Sequence, residues 1–131
     1  MNQDLDHLRL LSIFHYVAGG MIALFACIPI IHVGLGVMML VHPAVFGGHG
    51  QPPPPFIGLI FVIVGGAIIL FGWLLAALVV ISGRFLARHQ HHTYCLVVAA
   101  LSCLFMPVGT VLGVFTIIVL TRPSVKALFQ S

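Results

Sequence analysis

Charged residues are scarce in this chain, and acidic residues are the scarcest. Of its 131 residues, 5% are charged and 61% are hydrophobic, whereas an ordinary soluble domain is roughly one-quarter charged. A water-soluble surface cannot be built from so few charges. The two acidic residues, Asp4 and Asp6, lie at the N-terminus. Carboxylate acid/base pairs, intramembrane carboxylate relays and carboxylate-rich metal sites are therefore excluded.

The sequence also lacks a catalytic motif. Ser12, Ser82 and Ser102, together with the histidines, supply side chains of the nucleophile and base types, but no motif places them together. We therefore predict that the protein is not an enzyme, and we expect no cofactor. A disulfide framework is not expected either, because free thiols in apolar runs behave as small hydrophobes; the cysteines are Cys27, Cys95 and Cys103.

Long apolar runs fill the chain and predict an all-α, polytopic membrane protein, a four-helix transmembrane bundle in a single domain, residues 1–131. The first run is longer than a hydrocarbon core of about 30 Å requires, so we expect it to tilt, protrude or kink at Pro29. The last helix is short, so we expect it either to be partly re-entrant or to leave the bilayer locally thinned. The predicted helices cover about 9–41, 56–82, 86–106 and 108–121, with an interfacial segment at 124–129.

The distribution of positive charge predicts the topology. All five Lys and Arg residues lie in the N-terminal flank, the 84–92 segment or the C-terminal tail, and the Gly- and Pro-rich connector 42–55 has none. Cytoplasmic flanks of membrane proteins are enriched in Lys and Arg. We therefore predict that both termini are cytoplasmic and that a turn at 106–109 returns the tail to that side. The net charge of +3 then marks membrane flanks and predicts no nucleic-acid partner.

Small residues recur with helical phase and predict packing faces on the helices. Lipid provides no hydrophobic drive between helices, so close backbone approach at small residues supplies their association. These faces pack either within the chain or between subunits, and a bundle this small favours a homo-oligomer. The predicted packing residues are Gly20, Cys27, Gly34, Gly58, Gly65, Gly72, Gly109 and Gly113.

His15 and His32 are the ionisable residues expected inside the first apolar run, which makes them functional candidates. They stand about 26 Å apart on a straight helix, too far to share a metal within one chain. One interpretation is that they face another subunit, a pore or a headgroup. The alternative is that His15 is an anchor at the membrane interface and His32 is a neutral, hydrogen-bonded imidazole. Haem would need an opposing histidine from a second subunit. The side chains available to line a polar path are His15, His32, Ser102, Thr110 and Thr116.

The densest group of metal-ligand types is the segment that contains His89, His91, His92 and Cys95. If a helix has begun before this segment, His91 and Cys95 lie four positions apart on one face, a spacing suitable for Zn or Cu. The alternative is a basic patch at the membrane interface that contacts anionic lipid.

The sequence Pro107-Val108-Gly109-Thr110-Val111-Leu112-Gly113-Val114, within the segment 95–129, resembles the C-terminal hairpin of small uncharacterised bacterial multi-pass inner-membrane proteins. The resemblance implies a bacterial inner membrane and no particular activity. We predict a non-enzymatic, self-associating protein in contact with the lipid bilayer, forming a small channel or pore. The alternatives are an accessory or scaffold subunit of a larger membrane complex, and a histidine-based metal- or haem-binding protein.

Overall fold

The computed structural model describes residues 2–48, 50–104 and 108–130. Helices make up 83% of the structure, and the described part of the chain contains no strand, which confirms the all-α prediction. In chain order the helices are α1 (Asn2–Phe25), α2 (Ile30–Val41), α3 (Pro43–Phe46), α4 (Pro55–Arg88), α5 (His92–Ser102), α6 (Val108–Leu120) and α7 (Pro123–Leu128).

The first apolar run is interrupted between α1 and α2. Residues 26–29 form a turn, with the backbone N–H groups of Cys27 and Ile28 bonded to carbonyls three residues earlier. Pro29 has no N–H, and its ring disfavours a regular helix through this point. The helix predicted over 9–41 is therefore two helices, interrupted beside the proline where a kink was expected.

The second apolar run forms one helix, α4, that continues six residues beyond its predicted end at 82. It ends in a Schellman motif: His89 has a φ of +54°, its N–H bonds to Leu86 O, and the Gln90 N–H bonds to Phe85 O. His91 is also left-handed, and α5 begins only at His92. The predicted start of the third helix at 86 is thus wrong, because residues 84–88 still belong to α4.

Within the described part of the chain, two helical stretches are long and apolar enough to cross a membrane, Asn2–Val41 and Pro55–Arg88. Helices α5 and α6, with 11 and 13 residues, reach only about 17 and 20 Å at 1.5 Å per residue. Each is shorter than a hydrocarbon core of about 30 Å.

The chain divides into two compact units, residues 1–21 with 75–131 and residues 22–74. In the second unit, α2 packs antiparallel to the first part of α4 through glycines. A Cβ built on Gly36 would lie 2.7 Å from the Gly58 carbonyl oxygen, and one built on Gly65 would lie 2.8 Å from Val33 Cγ2. A side chain at either glycine would force the helices apart.

In the first unit, α5 and α6 form an antiparallel hairpin. Near its tip, Thr110 Oγ1 donates a 2.8 Å hydrogen bond to Cys103 O. At the open end, His92 Nε2 lies 2.7 Å from Leu120 O, and Gly113 packs between these points against Ala99 and Cys103. The segment before α5 and the tail after α6 therefore leave the hairpin at the same end. Residues 106 and 107 of the predicted turn lie outside the described residues.

The N-terminus of α1 lies at that same end of the first unit. Asp4 Oδ1 is 3.9 Å from Arg122 Nη1, and the Phe129 ring contacts the rings of His89 and His92 at 6.0 and 5.3 Å. The predicted interfacial segment 124–129 is largely helical, as α7, and buries Val125. The two terminal segments and the histidines that follow α4 thus share one end of this unit.

Candidate functional site

A buried polar cluster lies between α1 and α4 in the first unit. Ser12 and His15 are three residues apart on the buried face of α1. The Ser12 Oγ donates a 2.8 Å hydrogen bond to the carbonyl oxygen of Gly83 on α4. A Cβ at Gly83 would lie 3.1 Å from His15 Cβ, so glycine permits this approach. We call Ser12 and His15, which face Gly83, the histidine–serine cluster.

The orientation of the fully buried His15 ring follows from its hydrogen bond. Nδ1 lies 2.8 Å from Leu11 O, and because a carbonyl can only accept, Nδ1 donates. In the neutral ring Nε2 is then an acceptor, and it is buried without a hydrogen-bond partner among the described residues. Ser82 Oγ is buried in the same condition. Each of these two unpaired buried groups costs about 1–3 kcal/mol.

The histidine–serine cluster does not form a nucleophile–base pair. The Ser12 hydroxyl is bonded to a backbone carbonyl, and Ser82 Oγ makes no hydrogen bond to His15. An activated serine needs its base at about 2.6–3.2 Å. The sequence pointed to His15 but missed the pairing with α4; the signal was the Ser12 and His15 spacing of three, which puts both on one helical face.

The hydroxyls predicted to line a path are bonded locally. Ser102 and Thr116 are buried, and each donates to the carbonyl four residues earlier in its own helix, at 2.8 and 2.7 Å. Thr110 spans the tip of the α5–α6 hairpin. These side chains therefore satisfy their polar groups within the first unit.

His32 lies in the second unit and is exposed on α2. Its ring stacks against Phe61 of α4, with centroids 6.0 Å apart and planes inclined by 23°. His32 is thus exposed, whereas the other polar-path candidates are buried or half-buried.

The predicted glycine face of α4 packs within the chain. Gly58 and Gly65 lie against α2, and a Cβ at Gly72 would lie 2.5 Å from Ala26 Cβ. Gly113 is close-packed inside the α5–α6 hairpin, and Gly109 is buried in α6.

The glycines predicted for the first apolar run do not pack within the chain. Nothing lies within 4 Å of a Cβ built on Gly20 or Gly34, whereas Gly19 and Gly36 make the close contacts. Cys27 is half-buried and bonds to the Ala23 carbonyl in its own helix. The predicted face extended a single helical phase through Pro29, where the chain leaves the helix. For Gly20 and Gly34, a packing role stays a prediction only for contacts between subunits.

The histidine segment after α4 does not assemble a metal site. His91 precedes α5 with a φ of +52° and packs on Phe85 at 4.7 Å, so its predicted i,i+4 pairing with Cys95 on one helical face is wrong. His92 Nε2 donates to Leu120 O, and the Cys95 thiol lies 3.8 Å from Ser82 O. Among the described residues, no three metal-ligand side chains come together.

Over the residues that the structure describes, these features define an all-helical chain with two helical stretches of membrane-spanning length, glycine-mediated packing and a buried polar cluster. Comparison with family models, curated proteins and solved structures finds no match for this chain. The resemblance of the C-terminal hairpin to bacterial inner-membrane proteins stays a prediction.

Proposed function

We propose that this chain is a non-enzymatic, self-associating, multi-pass protein of the bacterial inner membrane that forms a small homo-oligomeric channel. The observation that carries the proposal is the exposure of its most apolar helices. In their most hydrophobic 18-residue windows, only 11% of Asn2–Val41 and 22% of Pro55–Arg88 is buried inside the chain. The core helix of a soluble protein would be mostly buried.

The distribution of side chains in the second unit also supports a lipid environment. Its buried residues are the small ones, Ala26, Gly36, Gly58 and Gly65, whereas large side chains such as Leu70 and Phe71 are at least 70% exposed. In water, contiguous apolar surface of this kind drives aggregation. In a bilayer the same side chains meet acyl chains at no cost, and the glycines supply the close helix contact.

The charge distribution and the α5–α6 hairpin support cytoplasmic termini. The hairpin starts and ends at one end of the first unit, where Asp4 and Arg122 also meet. A re-entrant hairpin returns Arg122 and Lys126 to the side of Arg84 and Arg88, in agreement with the positive-inside tendency. A hairpin of two short helices also removes the need for each to cross the bilayer.

Self-association uses surfaces that the chain itself leaves open. In the second unit, a Cβ built on Gly34 of α2 would meet nothing within 4 Å, and His32 is exposed. A homo-oligomer that packs on this unit places His32 between copies. The Ser102 and Thr116 hydroxyls already donate to carbonyls of their own helices. His32 is therefore the polar side chain that lines such a path, and apolar neighbours close the path by dewetting.

The proposal is tested by purifying the protein, measuring the mass of the assembly and recording conductance after reconstitution. A defined homo-oligomer that conducts alone supports it, and His32→Gln then changes the conductance. Recovery only together with another polypeptide would favour an accessory or scaffold subunit. Bound metal or haem at a fixed ratio would favour the histidine-based alternative, with ligands drawn from two copies.

A further inference from the structure

An apolar cleft of about 610 Å³ lies between α1 and α6 in the first unit. Among its lining residues, Leu11, Leu112 and Val119 are buried and form the floor, whereas Phe14 and Phe115 are 55% and 62% exposed and form the rims. The cleft is therefore open along one side and closed beneath.

The cleft has one polar end. His7 is its polar lining residue. Asp4 lies one turn before His7, and Arg122 follows Val119 by three positions. The side chains of Asp4 and Arg122 form the 3.9 Å ion pair. From His7 to Phe14 the helix rises about 10 Å, away from these charges. The cleft thus has the outline of an amphiphile, polar at one end and apolar along its length.

We propose that this cleft binds an acyl chain of an anionic phospholipid, with the phosphate beside Arg122. The Arg122 side chain is 47% exposed, and its contact with Asp4 is long, so it is available to a phosphate oxygen. Arg is well suited to phosphate because its planar donors bind two oxygens together. The inference rests on the membrane location proposed above and adds a ligand to it.

A lipid fits this site better than a second copy of the chain. The protein has five Lys and Arg residues but only two acidic ones, and the Asp4 side chain is only 16% exposed. A second copy therefore offers little negative charge to the polar end, whereas an anionic phospholipid supplies both the phosphate and an apolar chain. Basic side chains at a cytoplasmic surface attract anionic lipid by about 1 kcal/mol each, or about fivefold in affinity.

The test uses tryptophan quenching by brominated lipid in vesicles. Trp73, the single tryptophan, is replaced by Phe, and a probe is introduced as Phe115→Trp at the rim of the cleft or, as a control, as Val97→Trp on the exposed surface of α5. Brominated phosphatidylglycerol is compared with brominated phosphatidylcholine. We expect about fivefold preference for the anionic lipid at F115W and nearly equal binding of the two lipids at V97W.

Two arginine variants test whether Arg122 supplies the charge that binds the anionic headgroup. Arg122→Gln is expected to abolish the preference at F115W, whereas Arg9→Gln, which carries the same charge change on the roughly opposite face of α1 from His7, leaves it intact. Equal preference at both probes, or an unchanged preference in R122Q, overturns the lipid site. If F115W loses its helical circular dichroism, Val111→Trp, at the same cleft, replaces it.

Vesicle flotation separates this inference from the proposed function. Protein that floats with the vesicles but shows no anionic preference refutes the lipid site alone. Protein that stays at the bottom of the gradient refutes the membrane location, and the lipid site with it.

Discussion

Adjacent glycines in α4 offer a controlled test of the helix packing in the second unit. A Cβ on Gly65 would meet Val33 Cγ2 at 2.8 Å and Pro29 O at 3.3 Å, whereas a Cβ on Gly66 would meet nothing within 4 Å. Gly65→Ala and Gly66→Ala therefore make the same chemical change in the same helix, and only the first adds an atom to a closed contact.

The expected difference follows from two opposing terms. Replacing glycine by alanine inside a helix gains about 1 kcal/mol at either position. At position 65 the added methyl also overpacks the contact, which costs about 1–3 kcal/mol. Relief by movement of Val33 is limited, because a β-branched side chain is stiff at χ1, and the Pro29 oxygen belongs to the backbone. We expect G65A to be less stable than G66A by about 1–3 kcal/mol.

Unfolding in mixed micelles, followed by circular dichroism, measures both variants against the original protein. G66A should unfold at or above the denaturant concentration of the original protein, and G65A below that of G66A. Gly65→Leu enlarges the effect. If G65A and G66A had the same free energy of unfolding, the close approach of α2 and α4 at Gly65 would be refuted.

Three further predictions concern the first unit and the topology. Ser82→Ala removes an unpaired buried hydroxyl and should leave the free energy of unfolding unchanged or raise it. Ser12→Ala removes a 2.8 Å hydrogen bond and should lower the free energy of unfolding by about 1 kcal/mol. The opposite order in an unfolding titration would contradict the hydrogen bonding described for the two serines. Thr116→Val should leave any measured conductance unchanged, because the hydroxyl is bonded within α6; altered ion selectivity would place Thr116 at the path. In a cysteine-free background, cysteines at Gln51 and Gln130 should react with membrane-impermeant maleimide from opposite sides, and labelling from one side would refute the predicted topology.

The sequence predicted the helical character and the packing face of α4 because both depend on local, periodic information. Gly58, Gly65 and Gly72 share a phase in an uninterrupted helix, and they all lie in close contacts. The same helical periodicity predicted contacts at Gly20 and Gly34, whereas Gly19 and Gly36 make them, because the chain leaves the helix at residues 26–29. A helical phase cannot be carried through such a turn.

The candidate site was harder to predict because it depends on contacts between distant residues. Ser12 and Gly83 are 71 positions apart, and nothing in either local sequence specifies the partner. The metal-ligand hypothesis for His91 failed for a conformational reason, since two histidines with positive φ end α4 and delay the start of α5. Such left-handed residues are uncommon outside glycine and give no signal in hydrophobic periodicity.

Native mass spectrometry of the protein ejected from membrane vesicles tests whether the chain is an integral membrane protein that assembles with copies of itself. We expect a discrete multiple of the 14.1 kDa chain, present without any other polypeptide. A species of 14.1 kDa alone, at all protein-to-lipid ratios, would contradict it.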